Sequence, residues 1–433
     1  MRVLRTAVAA EREAIAQLQN RSFLDRRLER KVKSIIDDVE KRGDEAVSAY
    51  AERFDRVRIP PNKFRVEKSV LAAAFRNIDG ELLSVLRKVE RNLVAYHSRQ
   101  RPKDWRMDAG RGSSLAERWL PINRVGVYVP AGQAPLVSSV LMGVVPARVA
   151  GVREIVVCSP PASDGEVNRH ILSACAMLEV REVYRIGGVQ AIAAMAVGTE
   201  NIRRVDKIVG PGGAYVTMAK KILYGRVGID IVAGPSEILV LADDSANSSF
   251  VAADLLSQAE HGTGYEVCLL VTDSAKLAKD VQKELEALAE CGESVTRAAG
   301  ELLGVITIVI TRDLSEAVKI TNDFAAEHVE VMTKKAASVA RQVRNAGAVF
   351  VGRYSPVPVG DFYAGPNHVL PTGAAAKFSS GLSVLDFMKR ISVVSYTKRS
   401  LSETLPAVAA MAELEGLRRH ADALRVRFRR DTK

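Results

Sequence analysis

The stretch Lys207-Ile-Val-Gly-Pro-Gly-Gly-Ala-Tyr-Val-Thr-Met-Ala-Lys-Lys-Ile-Leu-Tyr224 decides the fold class. A short β-type run at 207–209 ends at the glycine-rich loop 210–213, and a helix-favouring run follows to 224. This order of strand, Gly/Pro loop and helix is typical of one βα unit in a parallel sheet.

The same order occurs three more times upstream. Arg124–Pro130, Glu154–Cys158 and Val183–Ile186 are apolar, β-type runs, and each is followed by a Gly/Pro loop and a helical pattern. In parallel sheets ligands bind at the carboxyl ends of the strands, where these loops lie. Since no G-x-G-x-x-G occurs there, the pattern favours a nucleotide-binding surface without the usual dinucleotide fingerprint.

A second series of strands and helices follows residue 237. Its predicted strands are Ile238–Ala242, Glu266–Val271, Val305–Ile310, His328–Met332 and Ala348–Val351. Residues 1 to about 100 and 402–424 have helical periodicity. We therefore predict an α/β protein with two incomplete, Rossmann-like parallel-sheet domains and helical N- and C-terminal arms.

Composition limits the class of protein. The 433 residues are 47% hydrophobic and 26% charged, which is typical of a soluble globular protein of two or three domains. No apolar run approaches the roughly 20 residues that span a bilayer, and we see no secretory signal. The four cysteines lack a C-x-x-C pair, and Cys158 and Cys268 lie in strand-like runs, which predicts buried free thiols in a reducing cytoplasm.

The net charge of +11 would permit nucleic-acid binding. Basic residues cluster at 26–31 and 425–430. Both clusters lie in amphipathic helical contexts, and we find no zinc-finger or aromatic stacking motif. Solvated helix faces, or attraction of anionic cofactors, explain the charge at least as well.

A candidate metal site lies in Asp254-Leu-Leu-Ser-Gln-Ala-Glu-His261. Gln258 and His261 are three residues apart, so they share one face near the end of a helix that Gly262 should terminate. An amide oxygen and an imidazole nitrogen are ligands that zinc accepts. An isolated Q-x-x-H is more often a solvated helix end, so a metal site here needs support from other parts of the chain.

The other histidines differ in context. His97 and His170 lie in polar helices, and we interpret them as incidental, with His97 on the surface. Glu327 and His328 occupy a helix-to-strand junction, a suitable place for an acid/base pair. The alternative interpretation of this pair is a purely structural one, in which the two residues cap the start of a strand.

Two further groups complete the candidate set. Asp361 and His368 share a loop rich in Gly, Pro and Asn, and Glu415 and His420 are predicted to share the last helix. Zinc would suit a ligand set of two imidazoles, a carboxylate and an amide oxygen, which could come from His261, His420, Asp361 and Gln258. Such a set would leave positions for a substrate.

Six motifs in series resemble the histidinol dehydrogenase family. They are Gly187-Gly-Val-Gln190-Ala-Ile-Ala-Ala, Val205-Asp-Lys-Ile-Val-Gly-Pro-Gly212, Ala233-Gly-Pro-Ser236-Glu, Leu256-Ser-Gln258-Ala-Glu-His261-Gly, Ala326-Glu327-His328-Val-Glu and Gly360-Asp361-Phe-Tyr-Ala-Gly-Pro-Asn-His368-Val-Leu-Pro-Thr. The resemblance extends in order from Tyr128 to His420, and it outweighs the surface interpretation of Q-x-x-H.

The resemblance implies a zinc-dependent, NAD-dependent four-electron oxidation of L-histidinol to L-histidine by a cytoplasmic homodimer with intertwined arms. It implies one zinc per subunit, held by Gln258, His261, Asp361 and His420, with His420 donated across the dimer. It also implies that Glu327 and His328 form the acid/base pair and that neither nucleic acid nor membrane is a partner.

The remaining roles are also implied by the resemblance. Substrate contacts would come from Ser236, Gln258, His261, His328, Asp361, His368, Glu415 and His420. NAD contacts would come from Tyr128, Gln190 and the position of Gly213. The implied parts are an N-terminal arm at 1–25, a metal and catalytic domain at 26–123 plus 237–380, an NAD-binding domain at 124–236 and a dimerisation arm at 381–433.

Gly213 departs from the family pattern, which usually has an asparagine after Gly-Pro-Gly. That asparagine is expected to contact NAD, and its loss removes a hydrogen bond worth about 0.5 to 1.5 kcal/mol. We therefore expect weak NAD binding or a shifted cofactor position.

Three alternatives remain open on sequence alone. The first is a relative that oxidises another small alcohol, such as a sulfonated diol, although the acidic Glu415 would repel a sulfonate. The second is a metal-dependent hydrolase, for which the glycine-rich loops would have no role. The third is a nucleic-acid binder, which rests on charge alone.

Overall fold

The structure is a computed structural model that describes residues 1–18, 25–131, 135–261, 264–291 and 299–428, with the backbone only for 289–291 and 299–300. Its strands are β1 (Arg2–Arg5), β2 (Trp105–Gly110), β3 (Ser113–Pro121), β4 (Arg124–Tyr128), β5 (Glu154–Cys158), β6 (Glu182–Tyr184), β7 (Lys207–Val209), β8 (Gly228–Ile229), β9 (Glu237–Ala242), β10 (Val267–Thr272), β11 (Ile306–Ile310), β12 (His328–Met332), β13 (Ala348–Val351) and β14 (Met388–Ser395).

The α-helices connect these strands. They are α1 (Ala9–Gln17), α2 (Arg26–Arg42), α3 (Asp44–Asp55), α4 (Lys68–Arg76), α5 (Gly80–Ser98), α6 (Val137–Ala150), α7 (Arg169–Met177), α8 (Gly188–Val197), α9 (Ala214–Leu223), α10 (Ser248–Ala259), α11 (Ala275–Cys291), α12 (Ala299–Gly304), α13 (Leu314–Phe324), α14 (Ala336–Ala340), α15 (Val357–Val359), α16 (Lys398–Leu414) and α17 (Arg418–Arg425). A π-helical turn, Gly360–Ala364, follows α15 directly. Within the described part of the chain, no helix has the length and apolar character needed to cross a membrane.

Two parallel sheets and one antiparallel sheet organise the chain. The five-stranded sheet has the order β6-β5-β4-β7-β8 and the six-stranded sheet the order β1-β11-β10-β9-β12-β13, and every pair in both is parallel. The three-stranded sheet, β14-β3-β2, is antiparallel. The predicted α/β class with two parallel sheets is confirmed.

Continuous burial explains why the central parallel strands were visible in the sequence. Every residue of β4 and of β9 is buried, as expected for strands covered by helices on both faces. Four strands, β5, β7, β12 and β13, have the predicted bounds. Cys158, Cys175 and Cys268 are buried and free, as expected for two of them.

The chain divides into two compact units. The first comprises Met1–Gln100 and Ile122–Phe387 and contains both parallel sheets; the second comprises Arg101–Pro121 and Met388–Lys433 and contains the antiparallel sheet with α16 and α17. In the first unit, α2 and α3 pack with α8 and α9 on the five-stranded sheet. The four-part division made from the sequence stays a prediction.

Several local predictions were wrong. Residues 2–5 form an edge strand paired with β11 rather than part of a helical arm, and residues 388–395 form β14 within the predicted C-terminal helical arm. His97 is fully buried rather than on the surface, and its Nδ1 lies 2.7 Å from the Oε1 of Gln100. Gly262, the predicted helix end, and residues 132–134 of the Gly/Pro loop predicted after Pro130 lie outside the described residues.

Candidate active site

The amino edge of the six-stranded sheet holds the predicted acid/base pair. Helix α13 ends at Ala325, which has the left-handed backbone conformation with φ of 54°. Strand β12 then begins at His328. Glu327 and His328 are 7% and 3% exposed. The sheet register places His328 beside Ile238, so the pair lies next to Glu237, the first residue of β9.

The backbone of Glu237 orients both side chains. Its N–H donates to Oε2 of Glu327 at 2.9 Å, and its carbonyl oxygen lies 3.0 Å from Nδ1 of His328. Because a carbonyl oxygen only accepts, Nδ1 carries the hydrogen. The second ring nitrogen, Nε2, is buried without a hydrogen-bond partner and lies 3.4 Å from Oδ1 of Asp361. Nε2 is therefore the atom available to exchange a proton.

Burial and neighbouring charge perturb the pair. Burial raises the pKa of Glu327 to about 8, although the charge of His328 opposes this. For His328, burial disfavours the imidazolium, but the carboxylates of Glu327 and Asp361 outweigh it and raise the pKa to about 9. Perturbed, buried acid and base groups side by side are typical of catalytic sites.

Three of the four predicted metal ligands belong to the first unit. Gln258 is 3% exposed, and its Nε2 has no hydrogen-bond partner. His261 is exposed and follows the end of α10, with its N–H 3.4 Å from the carbonyl oxygen of Gln258. Asp361 lies in the π-helical turn, 3.4 Å from His328.

His368 joins this group. Its Nδ1 lies 3.2 Å from the carbonyl oxygen of Asp361. Burial lowers the pKa of His368, and the charges of His328 and His261 lower it further. Ser236 directly precedes Glu237, so it lies at the same edge of the sheet.

The fourth predicted ligand belongs to the second unit. His420 is an exposed residue of α17 in the second unit. Glu415 is also exposed, but it ends α16, and Gly416 with φ of 75° separates the two helices. The prediction that Glu415 and His420 share one helix was therefore wrong. The glycine was the signal in the sequence that could have shown the break.

The chemistry of the donors in the first unit fits zinc, and the described part of that unit supplies three of the four predicted ligands. An amide group with an unpartnered buried atom, an imidazole and a carboxylate are zinc ligands or their close equivalents. Among the described residues, no group of three His, Cys, Asp or Glu side chains is placed to hold a metal ion. A complete tetrahedral set would therefore require a further donor such as His420.

The carboxyl edge of the five-stranded sheet contains the predicted cofactor residues. Tyr128 ends β4, and its hydroxyl accepts the N–H of Gly188 at the start of α8 at 3.1 Å. Burial raises the pKa of Tyr128 to about 12, so the phenol is neutral. Gln190, in the first turn of α8, is fully buried with both amide atoms unpartnered. An unpartnered buried amide of this kind is available to a ligand.

The loop after β7 is fixed by backbone contacts. Gly210 has φ of 116°, and a Cβ there would lie 2.2 Å from the carbonyl oxygen of Tyr128, so only glycine fits. Its N–H donates to Oδ2 of Asp230 at 2.7 Å, and its carbonyl oxygen accepts Nζ of Lys220 at 2.9 Å. A buried ion pair joins Lys220 to Asp230. Gly213, in contrast, faces open space where a Cβ would stand.

Sequence reasoning assigned no role to Glu237. Its backbone holds Glu327 and His328, and its Oε1 accepts the N–H of Gly373 at 2.9 Å. The residue is 3% exposed. The signal available was a charged residue at the start of a strand that is otherwise apolar, since such residues are rarely buried without a specific partner.

Comparisons with known proteins agree with the motifs. The family model described as Histidinol dehydrogenase matches residues 18–428. A histidinol dehydrogenase from Geobacillus kaustophilus is 47% identical over 403 residues, which cover 92% of this chain and 93% of that protein. A histidinol dehydrogenase from Bacillus subtilis is 45% identical over 408 residues, with 93% of each chain covered.

A solved structure extends the similarity to the whole fold. The crystal structure of histidinol dehydrogenase from Elizabethkingia anophelis has a TM-score of 0.91 and 32% sequence identity, and the match covers 99% of this chain and 98% of that one. Both the sequence and the fold of this chain therefore belong to the histidinol dehydrogenase family.

Proposed function

We propose that this chain, as a cytoplasmic homodimer with one zinc ion per subunit, oxidises L-histidinol to L-histidine through a bound aldehyde and reduces two NAD. Membership of the family makes it an NAD-dependent oxidoreductase of histidine biosynthesis. The hydrolase and the nucleic-acid binder are therefore set aside, and no observation favours a sulfonated diol as substrate.

One observation carries the proposal. Glu327 and His328 are held by the N–H and the carbonyl oxygen of one residue, Glu237, and Nε2 of His328 lies 3.4 Å from Asp361. A buried base and a buried carboxyl group thus lie beside a proposed metal ligand. This arrangement suits the oxidation of an alcohol that is held by a metal.

The proposed ligands are Gln258, His261 and Asp361 of one subunit and His420 of the partner subunit. Zinc held there would supply a Lewis acid that binds the imidazole and amine of histidinol, and NAD would supply the hydride acceptor. Substrate contacts are assigned to those residues with Ser236, His328, His368 and Glu415. Contacts with NAD are assigned to Tyr128, Gln190 and the loop at Gly213.

His328 acts as the general base in its neutral form, which its raised pKa of about 9 makes predominant only above that pH. The bond from Nδ1 to Glu237 leaves Nε2 as the nitrogen that receives the hydroxyl proton of histidinol. The aldehyde must add water before a second hydride can leave, and the carboxylate of Glu327 takes a proton from that water. Burial of both groups limits access of bulk water to the bound aldehyde.

The number of electrons removed from histidinol determines how many NAD molecules are reduced. A primary alcohol becomes a carboxylate by loss of four electrons, with one water consumed, and each NAD accepts two electrons. Two NADH and three protons are therefore released per histidinol.

Exposed apolar surface in the second unit supports the dimer. Ile391 and Val394 of β14 are 45% and 67% exposed, and Met411 and Leu414 of α16 are 57% and 81% exposed. Exposed apolar side chains of this size are typical of an interaction surface when a partner covers them. A partner subunit covering them would also bring a second copy of α17, with His420.

The test is the yield of NADH. Zinc-loaded protein is given limiting histidinol and excess NAD, and NADH is counted by absorbance. We expect two NADH per histidinol and one per histidinal, because the aldehyde enters after the first oxidation. One NADH per histidinol, or none with zinc loaded, would refute the proposal.

A further inference from the structure

Asp254 on α10 and Glu330 on β12 form a pair of carboxyl groups close to the proposed metal site. Glu330 is 1% exposed and Asp254 is half-buried, and their carboxyl groups are in hydrogen-bonding contact. Oε2 of Glu330 is buried, and no N–H or hydroxyl group of the described residues donates to it. Two carboxylates cannot bond to each other, so the contact requires a proton on one of them.

Burial supports this protonation. It raises the pKa of Glu330 to about 8, and the neighbouring charge of Asp254 acts in the same direction. Burial likewise raises the pKa of Asp254. A pair that carries one proton avoids the cost of placing two like charges together in the interior.

Glu330 contacts two of the segments that form the site. Side chains alternate along a strand, so Glu330 lies on the same face of β12 as His328, two residues earlier. Its other oxygen, Oε1, accepts the N–H of Val357 at 2.8 Å. Val357 begins α15, which leads directly into the π-helical turn that carries Asp361.

Asp254 connects the pair to the third segment. It lies one helical turn before Gln258 on α10, so these two side chains share one face of the helix, and His261 follows just after the helix ends. The carboxyl group of Glu330 on β12 therefore joins two other elements: α10 through Asp254, and the start of α15 through Val357.

We propose that Asp254 and Glu330 share one proton and act as positioning residues for the metal site. Their bond fixes the helix that carries Gln258 and His261 against the strand that carries His328 and the turn that carries Asp361. This inference rests on the ligand set given under Proposed function. Groups behind a metal site that orient its ligands commonly contribute about 10- to 100-fold in metal affinity.

Three variants separate the hydrogen bond from the charges. In Asp254→Asn and in Glu330→Gln, an amide N–H donates to the remaining carboxylate, so the contact survives. Gln at 330 also keeps an oxygen for Val357. Asp254→Ala removes the contact, and alanine is compatible with the helix. Asp323→Ala is the matched control, since Asp323 is a half-buried aspartate of α13 on the same sheet.

The primary readout is zinc affinity in competition with a chromogenic chelator. The absorption spectrum of the cobalt-substituted protein reports ligand geometry, and circular dichroism reports the fold. We expect zinc affinity about 10- to 100-fold lower in Asp254→Ala, with an altered cobalt spectrum. Asp254→Asn, Glu330→Gln and Asp323→Ala should resemble the wild type.

Two results would overturn the inference. One is wild-type zinc affinity and cobalt spectrum in Asp254→Ala. The other is a loss in both amide variants equal to that in Asp254→Ala, with the fold intact. Gln258→Ala tests the ligand set separately: if it keeps wild-type zinc affinity, the ligand assignment fails, whereas if it loses zinc while Asp254→Ala does not, only the shared-proton contact fails.

Discussion

The two parallel sheets use opposite edges. In the five-stranded sheet, the predicted cofactor residues lie at the carboxyl ends of β4, β6 and β7, where loops lead into α8 and α9. In the six-stranded sheet, Glu237 and His328 begin β9 and β12, so the proposed catalytic groups lie at the amino edge. The general rule for ligands of parallel sheets therefore describes one sheet of this molecule and not the other.

Helix polarity explains the difference. The N-termini of α8 and α9 point to the carboxyl edge of the first sheet, and the positive end of a helix favours the phosphates of a dinucleotide. At the amino edge of the second sheet, α10 ends beside Gln258 and His261, and α13 ends just before Glu327. The negative end of a helix favours a cation. Each edge thus suits the charge of its proposed ligand.

The largest expected effect is at the amino edge, where function depends on side chains. His328→Gln keeps an N–H for the carbonyl oxygen of Glu237 but removes the base. We expect kcat to fall about 10²- to 10⁴-fold in steady-state assays of NADH formation. Zinc content should stay unchanged, because His328 is not a proposed ligand.

His170→Ala is the matched control, since His170 lies on α7 beside the other sheet. Its kcat should equal that of the wild type. A His328→Gln enzyme with nearly normal kcat would remove the base assignment.

A smaller effect is expected at the carboxyl edge, where backbone and glycine dominate. Gly213→Asn restores the family residue at a position where a Cβ meets nothing within 4 Å. We expect NAD to bind more tightly by roughly a few-fold, because one hydrogen bond is gained. Titration of NAD by fluorescence or calorimetry measures this.

Gly212→Ala is the contrasting variant, because its Cβ would lie 2.4 Å from Cγ1 of Val216. It should lower the melting temperature and should not improve NAD binding. Unchanged or weaker NAD binding in a folded Gly213→Asn would show that glycine at this position does not weaken NAD binding.

The smallest expected effect concerns Asp55, at the end of α3. Its Oδ2 is buried without a hydrogen-bond partner, and burial raises its pKa to about 6. Since the pKa of the folded state is above that of the unfolded chain, stability from the neutral acid is full below about pH 4 and is lost as pH rises through about 6. Asp55→Asn should therefore stabilise the protein at pH 8 by about 1 kcal/mol, after allowance for solvent screening.

The measurement is the difference in melting temperature between Asp55→Asn and wild type at pH 5 and pH 8. The gain should be smaller at pH 5, where the folded carboxyl group is mostly protonated. An equal gain at both values, or a loss at pH 8, would contradict the assignment.

The parts of the fold that the sequence predicted are those with continuous apolar patterns. β5, β7 and β12 are largely buried and were found with their bounds, and β13 was found as the apolar run Ala348–Val351 although none of its residues is buried. β1 was missed because a four-residue edge strand gains its stability from β11, far away in the chain. The antiparallel strands were missed for a similar reason: β14 is almost wholly exposed and carries no clean alternation.

The site shows the same limit. Glu327 and His328 could be proposed as an acid/base pair because adjacent acid and base residues are visible in the sequence, and that role stays a prediction. The contacts of Glu237 and Glu330 could not be predicted, because their partners come from other segments of the chain. The burial of His97 could have been predicted, since Leu86, Val89 and Leu93 precede it on one buried helix face.

The most direct test of the account is a mixed dimer of His261→Ala and His420→Ala chains, separated by two affinity tags. If His420 of the partner subunit completes each site, one of the two sites in the mixed dimer has all its ligands. We predict that it recovers about half of the wild-type NADH formation, while each homodimeric variant remains inactive. A mixed dimer as inactive as its parents would contradict a site shared between subunits.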